Sequence, residues 1–214
     1  MANERPLLSA YRELMLGHLI GTNKCPGVQP VGVGETWRWI LAKCVLAVTG
    51  VEAKEACGTE KSSAGGWRPV LKVGLTKCTS CVSSTPRRRN GCFYSLARNA
   101  FNEENRTDML WAVRHKLPSG ARFALICYRH WATLVIRSGD RTGHFLHRKE
   151  GVTQGDPLAI IEYGLVILPL IQDLRAAHPR VTQTWYCDDA GAWVNFAGIH
   201  RHLDDLMVRG APRG

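Results

Sequence analysis

Trp185-Tyr186-Cys187-Asp188-Asp189 ends an apolar run on two adjacent carboxylates. The spacing predicts a strand from Val181 to Cys187, a second from Ala192 to Phe196, and a turn carrying Asp188 and Asp189. Neighbouring like charges raise each other's proton affinity unless a cation compensates them. A hard divalent ion such as magnesium prefers carboxylate and phosphate oxygens. Two such ions can clamp the attacking and leaving oxygens of a phosphoryl transfer. Without further context, the same dipeptide is a solvated turn between strands.

Upstream stands Gly151-Val152-Thr153-Gln154-Gly155-Asp156-Pro157-Leu158. It precedes a helix expected from Pro157 to Ala177, with Asp156 as its cap and proline in the first turn, where the missing N–H costs nothing. Glycine lets backbone approach a ligand closely. A helix N-terminus offers free N–H groups to phosphate.

Further out, helical spacing predicts helices over Leu7 to Met15, after Glu35, over Thr107 to Leu117, over Ala121 to Trp131 and over Ile199 to Val208. In the helix after Glu35, the expected buried face holds Trp37, Ile40, Leu41, Cys44 and Val45. Strands are expected at Ala132 to Ile136 and His144 to His147. Pro26, Gly27 and Pro30 read as chain breakers.

Ala64 to Leu96 has a different texture. Neither helical nor strand periodicity persists there, and it carries six basic residues and no acid. Reading each codon's third base with the next codon's first two permits L-E-A-G-I-E-G-G-I-D-K over Gly66 to Lys77. Over Thr85 to Leu96 it permits H-A-E-E-E-E-W-V-F-L-L-V, an acidic helix end followed by an apolar strand. We hypothesise that about Gly65 to Leu96 is translated out of frame, or from a misread intron, and is irregular. Stop codons in the shifted frame of the coding DNA would remove the idea. Of the formal +10 charge, this stretch supplies six, so the remainder is only +4. Arg87, Arg88 and Arg89 are therefore no argument for a nucleic-acid patch.

Composition is that of one globular chain of 214 residues, 45% hydrophobic and 21% charged. No secretory signal and no run long enough to span a bilayer stand in it, so an intracellular protein without membrane attachment is the expectation. Eight scattered cysteines give no disulfide framework. Cys78 and Cys81 form a CxxC that lacks the second ligand pair of a zinc site.

Taken together, the Gln-Gly-Asp-Pro loop, the long helix and the Tyr-x-Asp-Asp strand follow the motif order of reverse transcriptases. "EGVTQGDPLA", "WYCDDAGA" and "HLDDLMVRG" resemble those of a non-LTR-like retroelement, whose members usually carry alanine at position 187. "CPGVQPVGVGETWRWILAKCV" resembles the fingers, and "NAFNEENR" with "MLWAVRH" and "PSGARF" the palm.

The resemblance implies an α+β fold: a partial fingers segment over 1–63, the out-of-frame stretch 64–96, and a palm over 97–214 with a small antiparallel sheet backed by the Pro157 helix. It implies magnesium-dependent, RNA-directed DNA polymerisation, with RNA template, DNA primer and dNTP as partners. Asp188 would bind the metal with Asp189 in support. Gln154, Gly155, Pro157 and Tyr186 would meet template or nucleotide, and Phe101 would discriminate against a 2′-hydroxyl. Arg38 and Lys43 would meet phosphates. From the residues alone, Phe101 is a core aromatic, and Arg38 and Lys43 lie on a solvated helix face.

The sequence departs from the family in three places. Leu96 stands five residues before Phe101, where the palm needs another catalytic aspartate. Gln29 stands where the fingers present arginine before Pro30. The family continues past position 214 into a palm lysine and a helical thumb. The expectation is a chain of polymerase descent without polymerase activity; the alternative is a non-catalytic nucleic-acid-binding remnant. No oligomeric state follows.

Overall fold

The computed structural model describes residues 8–23, 27–57, 90–96, 100–138, 141–186 and 189–210. Two compact units divide the chain. The first combines Met1–Ala56 with Asn99–Tyr163, and the second Cys57–Arg98 with Gly164–Gly214. Helices and small sheets make up both, which is the α+β class the sequence suggested.

The first unit begins with α1 (Leu8–Met15), β1 (Gly17–Asn23), β2 (Val28–Gly34) and α2 (Thr36–Ala56). The sequence reading missed β1 and β2 because it treated Pro26 and Pro30 as breakers. Pro30 is paired with Gly21 instead, on β2 at the sheet edge, where a residue without an N–H is tolerated. Gly27, at φ 102°, takes the left-handed conformation between the strands. Parallel pairing of β1 with β4 (Ala132–Ser138), and antiparallel pairing of β4 with β5 (Arg141–Arg148), complete a four-stranded sheet ordered β2-β1-β4-β5.

Between α2 and β4 the second unit contributes β3 (Asn90–Leu96). The first unit then resumes with a short turn α3 (Ala100–Glu103), α4 (Arg106–Lys116) and α5 (Pro118–Tyr128). Asn105 caps α4, its Oδ1 accepting the Thr107 and Asp108 N–H groups at 2.9 and 3.1 Å. Pro118 starts α5 rather than ending α4, so this helix begins three residues before the expected Ala121.

Helix α2 corrects the expected buried face. Trp37 is 74% exposed, and its buried stripe is Arg38, Ala42, Thr49 and Ala53. Apolar residues surround most of this helix, so periodicity did not single out a face. Small side chains let the backbone approach its neighbours, and a Cβ added at Gly120 of α5 would lie 4.0 Å from the Thr49 methyl group.

The long helix α6 (Ala159–Ala177) starts in the first unit and continues into the second. There β6 (Thr182–Tyr186) and β7 (Asp189–Asn195) form an antiparallel hairpin, β3 pairs with β7, and α7 (Phe196–Gly210) follows. Ile171 and Leu174 of α6 are fully buried against Trp185 of β6. Trp185 thus anchors the hairpin on the helix, and Ala192 of β7 is buried too. This is the antiparallel sheet backed by the long helix that the resemblance implied.

The stretch expected to be irregular lies outside the described residues as far as position 89. Its last seven residues correct that expectation, because Asn90–Leu96 is a fully paired strand. Cys78 and Cys81 also lie outside the described residues. Among the described residues, no helix is long and apolar enough to cross a membrane.

Candidate functional site

In the first unit, the Gly151–Asp156 loop is fixed by buried polar contacts. The Gly151 N–H donates to the Glu104 carbonyl at 2.8 Å, and the Val152 N–H to the Phe101 carbonyl at 2.7 Å. Gly151 sits at φ 74°, and a Cβ there would lie 2.4 Å from the Phe101 carbonyl oxygen. Only glycine fits so close to that backbone. These bonds bring Phe101 beside the loop. Its half-buried ring rests 5.2 Å from that of Tyr163, tilted by 42°.

Asp156 holds the loop's end. Its Oδ1 accepts the Leu158 N–H at 2.9 Å, which is capping geometry one turn ahead of α6. Its Oδ2 lies 2.7 Å from Arg38 Nη2, in an ion pair with both side chains almost wholly buried. Arg38 also donates to Tyr128 Oη at 2.6 Å and to Thr153 Oγ1. Arg148 donates to the same Thr153 hydroxyl at 2.5 Å and to the Val152 carbonyl at 3.3 Å. The Thr153 N–H in turn donates to Tyr128 Oη at 3.3 Å.

Two carboxyl groups lie beneath this network. Burial, reinforced by Asp156, pushes Glu162 up to about 8, while Arg38 and Tyr128 pull the other way. Burial and then Glu162 push Glu104 up to about 9. Burial thus favours the neutral form of both acids. Burial also lowers Arg148 to about 10.

An open cavity of about 330 Å³ adjoins the loop. Gln154 and Gly155 line it with Val31 and Val33 of β2 and Glu35, Arg38 and Trp39 in and before α2. Gly155, at φ 79°, is exposed with open space on its Cα side. Arg38 thus occupies neither position the sequence left open for it. It is 2% exposed and neutralised by Asp156, not on a solvated face and not free at the surface. Lys43 is exposed, with its Nζ 5.0 Å from the Trp39 ring, and Pro157 is half-buried.

In the second unit, Tyr186 pairs with Asp189, so β6 and β7 are joined through positions 187 and 188 alone. Asp188 lies outside the described residues. Asp189 is exposed and forms the first residue of β7, instead of standing in the turn. Across the other edge of β7, Asp189 pairs with Leu96 of β3. Position 96 therefore adjoins the acidic hairpin, where the resemblance asked for a further aspartate. Leucine brings no oxygen, and among the described residues no group of three or more His, Cys, Asp or Glu could hold a metal ion. Among the described residues, Asp189 and Leu96 do not by themselves supply the donors of a two-metal centre.

Sequence reasoning missed Tyr128, Thr153, Arg148, Glu104 and Glu162. Two partners of Arg38, Tyr128 and Thr153, lie 90 and 115 residues away, beyond any local pattern. A faint signal existed in the arginine itself, set between two exposed tryptophans.

No family model and no curated protein sequence matches the chain. Solved structures do. Telomerase from Candida albicans in complex with a TWJ fragment of telomeric RNA superposes with a TM-score of 0.68 at 9% identity, over 96% of this chain and 42% of that one. Apo telomerase from Candida tropicalis, truncated from the C-terminal domain, gives 0.64 at 11% identity, over 90% and 46%. The C. tropicalis enzyme with the same type of RNA fragment gives 0.65 at 11% identity, over 92% and 38%. The fold is reverse-transcriptase-like, and the chain spans less than half the length of these telomerases.

Proposed function

We propose that this chain is a reverse-transcriptase fragment, descended from the RNA-directed DNA polymerase of a non-LTR-like retroelement, that binds nucleic acid without polymerising. The observation that carries this reading is the pairing of Leu96 with Asp189 on a reverse-transcriptase-like fold. A polymerase would hold magnesium at this hairpin between several carboxylates. Here Asp188 and Asp189 stand without the third, and no catalytic step is assigned to the ion.

On the same reading, Gln154, Gly155 and Pro157 meet a template base or dNTP at the cavity beside α2. Phe101 and Tyr186 serve the sugar and base, and Lys43 a phosphate. Arg38 acts by holding the Gly151–Asp156 loop, since its charge is already matched by Asp156. RNA template and DNA primer would be held mainly through their phosphates, so binding would weaken steeply with salt.

The test is primer extension on an RNA template by the purified chain in magnesium, run beside a salt series of binding to the same duplex. No extended product, with salt-dependent binding, is expected. Robust magnesium-dependent extension would overturn the inactive assignment. Absence of duplex binding at low salt would overturn the nucleic-acid role.

A further inference from the structure

Helices α4 and α5 each bury one face, through Met109, Ala112 and Val113 on α4 and Phe123, Ala124 and Cys127 on α5. Their other faces meet in a groove of about 900 Å³. Its lining follows helical spacing on both sides: Trp111 and Arg114 on α4, and Arg122, Leu125 and Ile126 on α5, with Arg129 at the α5 C-cap. Trp111 is 61% exposed and Leu125 48%, large apolar surfaces for a water-facing helix pair. His115 stacks on one face of Trp111 with ring centroids 4.3 Å apart.

The charge in this groove has one sign. No acidic residue lines it, and neither Arg114 nor Arg122 has a carboxylate partner among the described residues. Both arginines are exposed. We propose that the groove receives an amphipathic acidic helix from a protein partner. A trough between two helices is the shape a third helix fills, with leucine-type residues on its floor. The flanking carboxylates of such a helix would meet the arginines, whose planar forks suit them. A single nucleic-acid strand fits less well. It needs a succession of aromatic faces, and this groove offers one exposed tryptophan, already covered on one side, over an aliphatic floor.

The test uses the full chain and a fluorescein-labelled synthetic helix of about twenty residues, with leucines along one face and glutamates beside them. Binding is read by fluorescence anisotropy, against a peptide in which lysine replaces every glutamate. The glutamate helix is expected to bind and the lysine helix not. Arg114→Glu with Arg122→Glu, and separately Trp111→Ala, should each weaken binding about tenfold or more, with circular dichroism unchanged because these side chains are exposed. Equal binding of both peptides, or binding indifferent to the variants, would overturn the proposal. So would displacement of the peptide by single-stranded RNA with the same arginine dependence, which assigns the groove to nucleic acid. Self-association lost in Trp111→Ala would assign it to a second copy instead.

Discussion

The Gly151–Asp156 loop and the β6–β7 hairpin are held in different ways. The loop depends on buried polar groups: Arg38 bonds Asp156, Tyr128 and Thr153, and the Val152 N–H donates to the Phe101 carbonyl. The hairpin depends on apolar packing, with Trp185 set on Ile171 and Leu174 while Asp189 stands exposed at one end. Changing Asp156 leaves Arg38 buried without its counter-charge, and changing Gly151 creates a clash, so these positions cannot change without cost to their unit. Asp189 is exposed, so replacing it leaves no buried charge behind. A chain under selection for folding alone would keep the first region and lose acids from the second.

The comparison breaks most directly at Arg38. Arg38→Ala leaves Asp156 buried without its counter-charge, and removing one partner of such a pair costs about 3–5 kcal/mol. Denaturant unfolding should show that loss. A cost below about 1 kcal/mol would mean the ion pair does not hold the loop. Gly151→Ala comes next. The alanine Cβ would press on the Phe101 carbonyl in a left-handed backbone, at about 2–3 kcal/mol. An unchanged melting temperature would show that the loop shifts freely.

Protonation sharpens the contrast. Glu104 and Glu162 have folded-state values raised to about 9 and about 8, above those of an unfolded chain. Their neutral forms suit the fold, so this contribution is complete below about pH 4.5. It is lost as the pH rises toward 8 and 9, because the unfolded chain releases the protons first. Each group adds a slope of up to about 1.4 kcal/mol per pH unit across that window. Glu162→Gln should flatten the fall of the melting temperature between pH 5 and 8. A parent chain with no such fall would mean these carboxyls are ionised in the fold.

Much of the hairpin was legible in the sequence. Trp185 to Asp189 carries its own pattern, and antiparallel strands joined by a tight turn need only local chemistry. The loop's outline was legible for the same reason, since Asp156 and Pro157 announce a helix start. The network behind the loop was not, because it joins α2, α5 and β5 across the chain. Polar residues destined for burial look, one at a time, like surface residues. Arg38 misled for this reason, and Trp37 beside it, expected on the buried face, is exposed instead. β1 and β2 were hidden by prolines whose tolerance depends on lying at a sheet edge, a property only the assembled sheet defines.

The smallest effect probes the hairpin itself. Leu96→Asp would set a third carboxylate on the residue paired with Asp189. Directly paired antiparallel positions hold their Cβ atoms about 5 Å apart, and like charges so placed destabilise by up to about 1 kcal/mol. Without metal, the variant should therefore melt below the parent. Magnesium should reverse the order, because an ion that binds only the folded state stabilises it by about 1.4 kcal/mol at ten times its dissociation constant. The parent, with leucine there, should respond far less. A magnesium response equal in both chains would place the ion elsewhere and detach Leu96 from the proposed metal site. A response confined to the variant would locate the loss at this one position, in a hairpin that folds equally well without the acid.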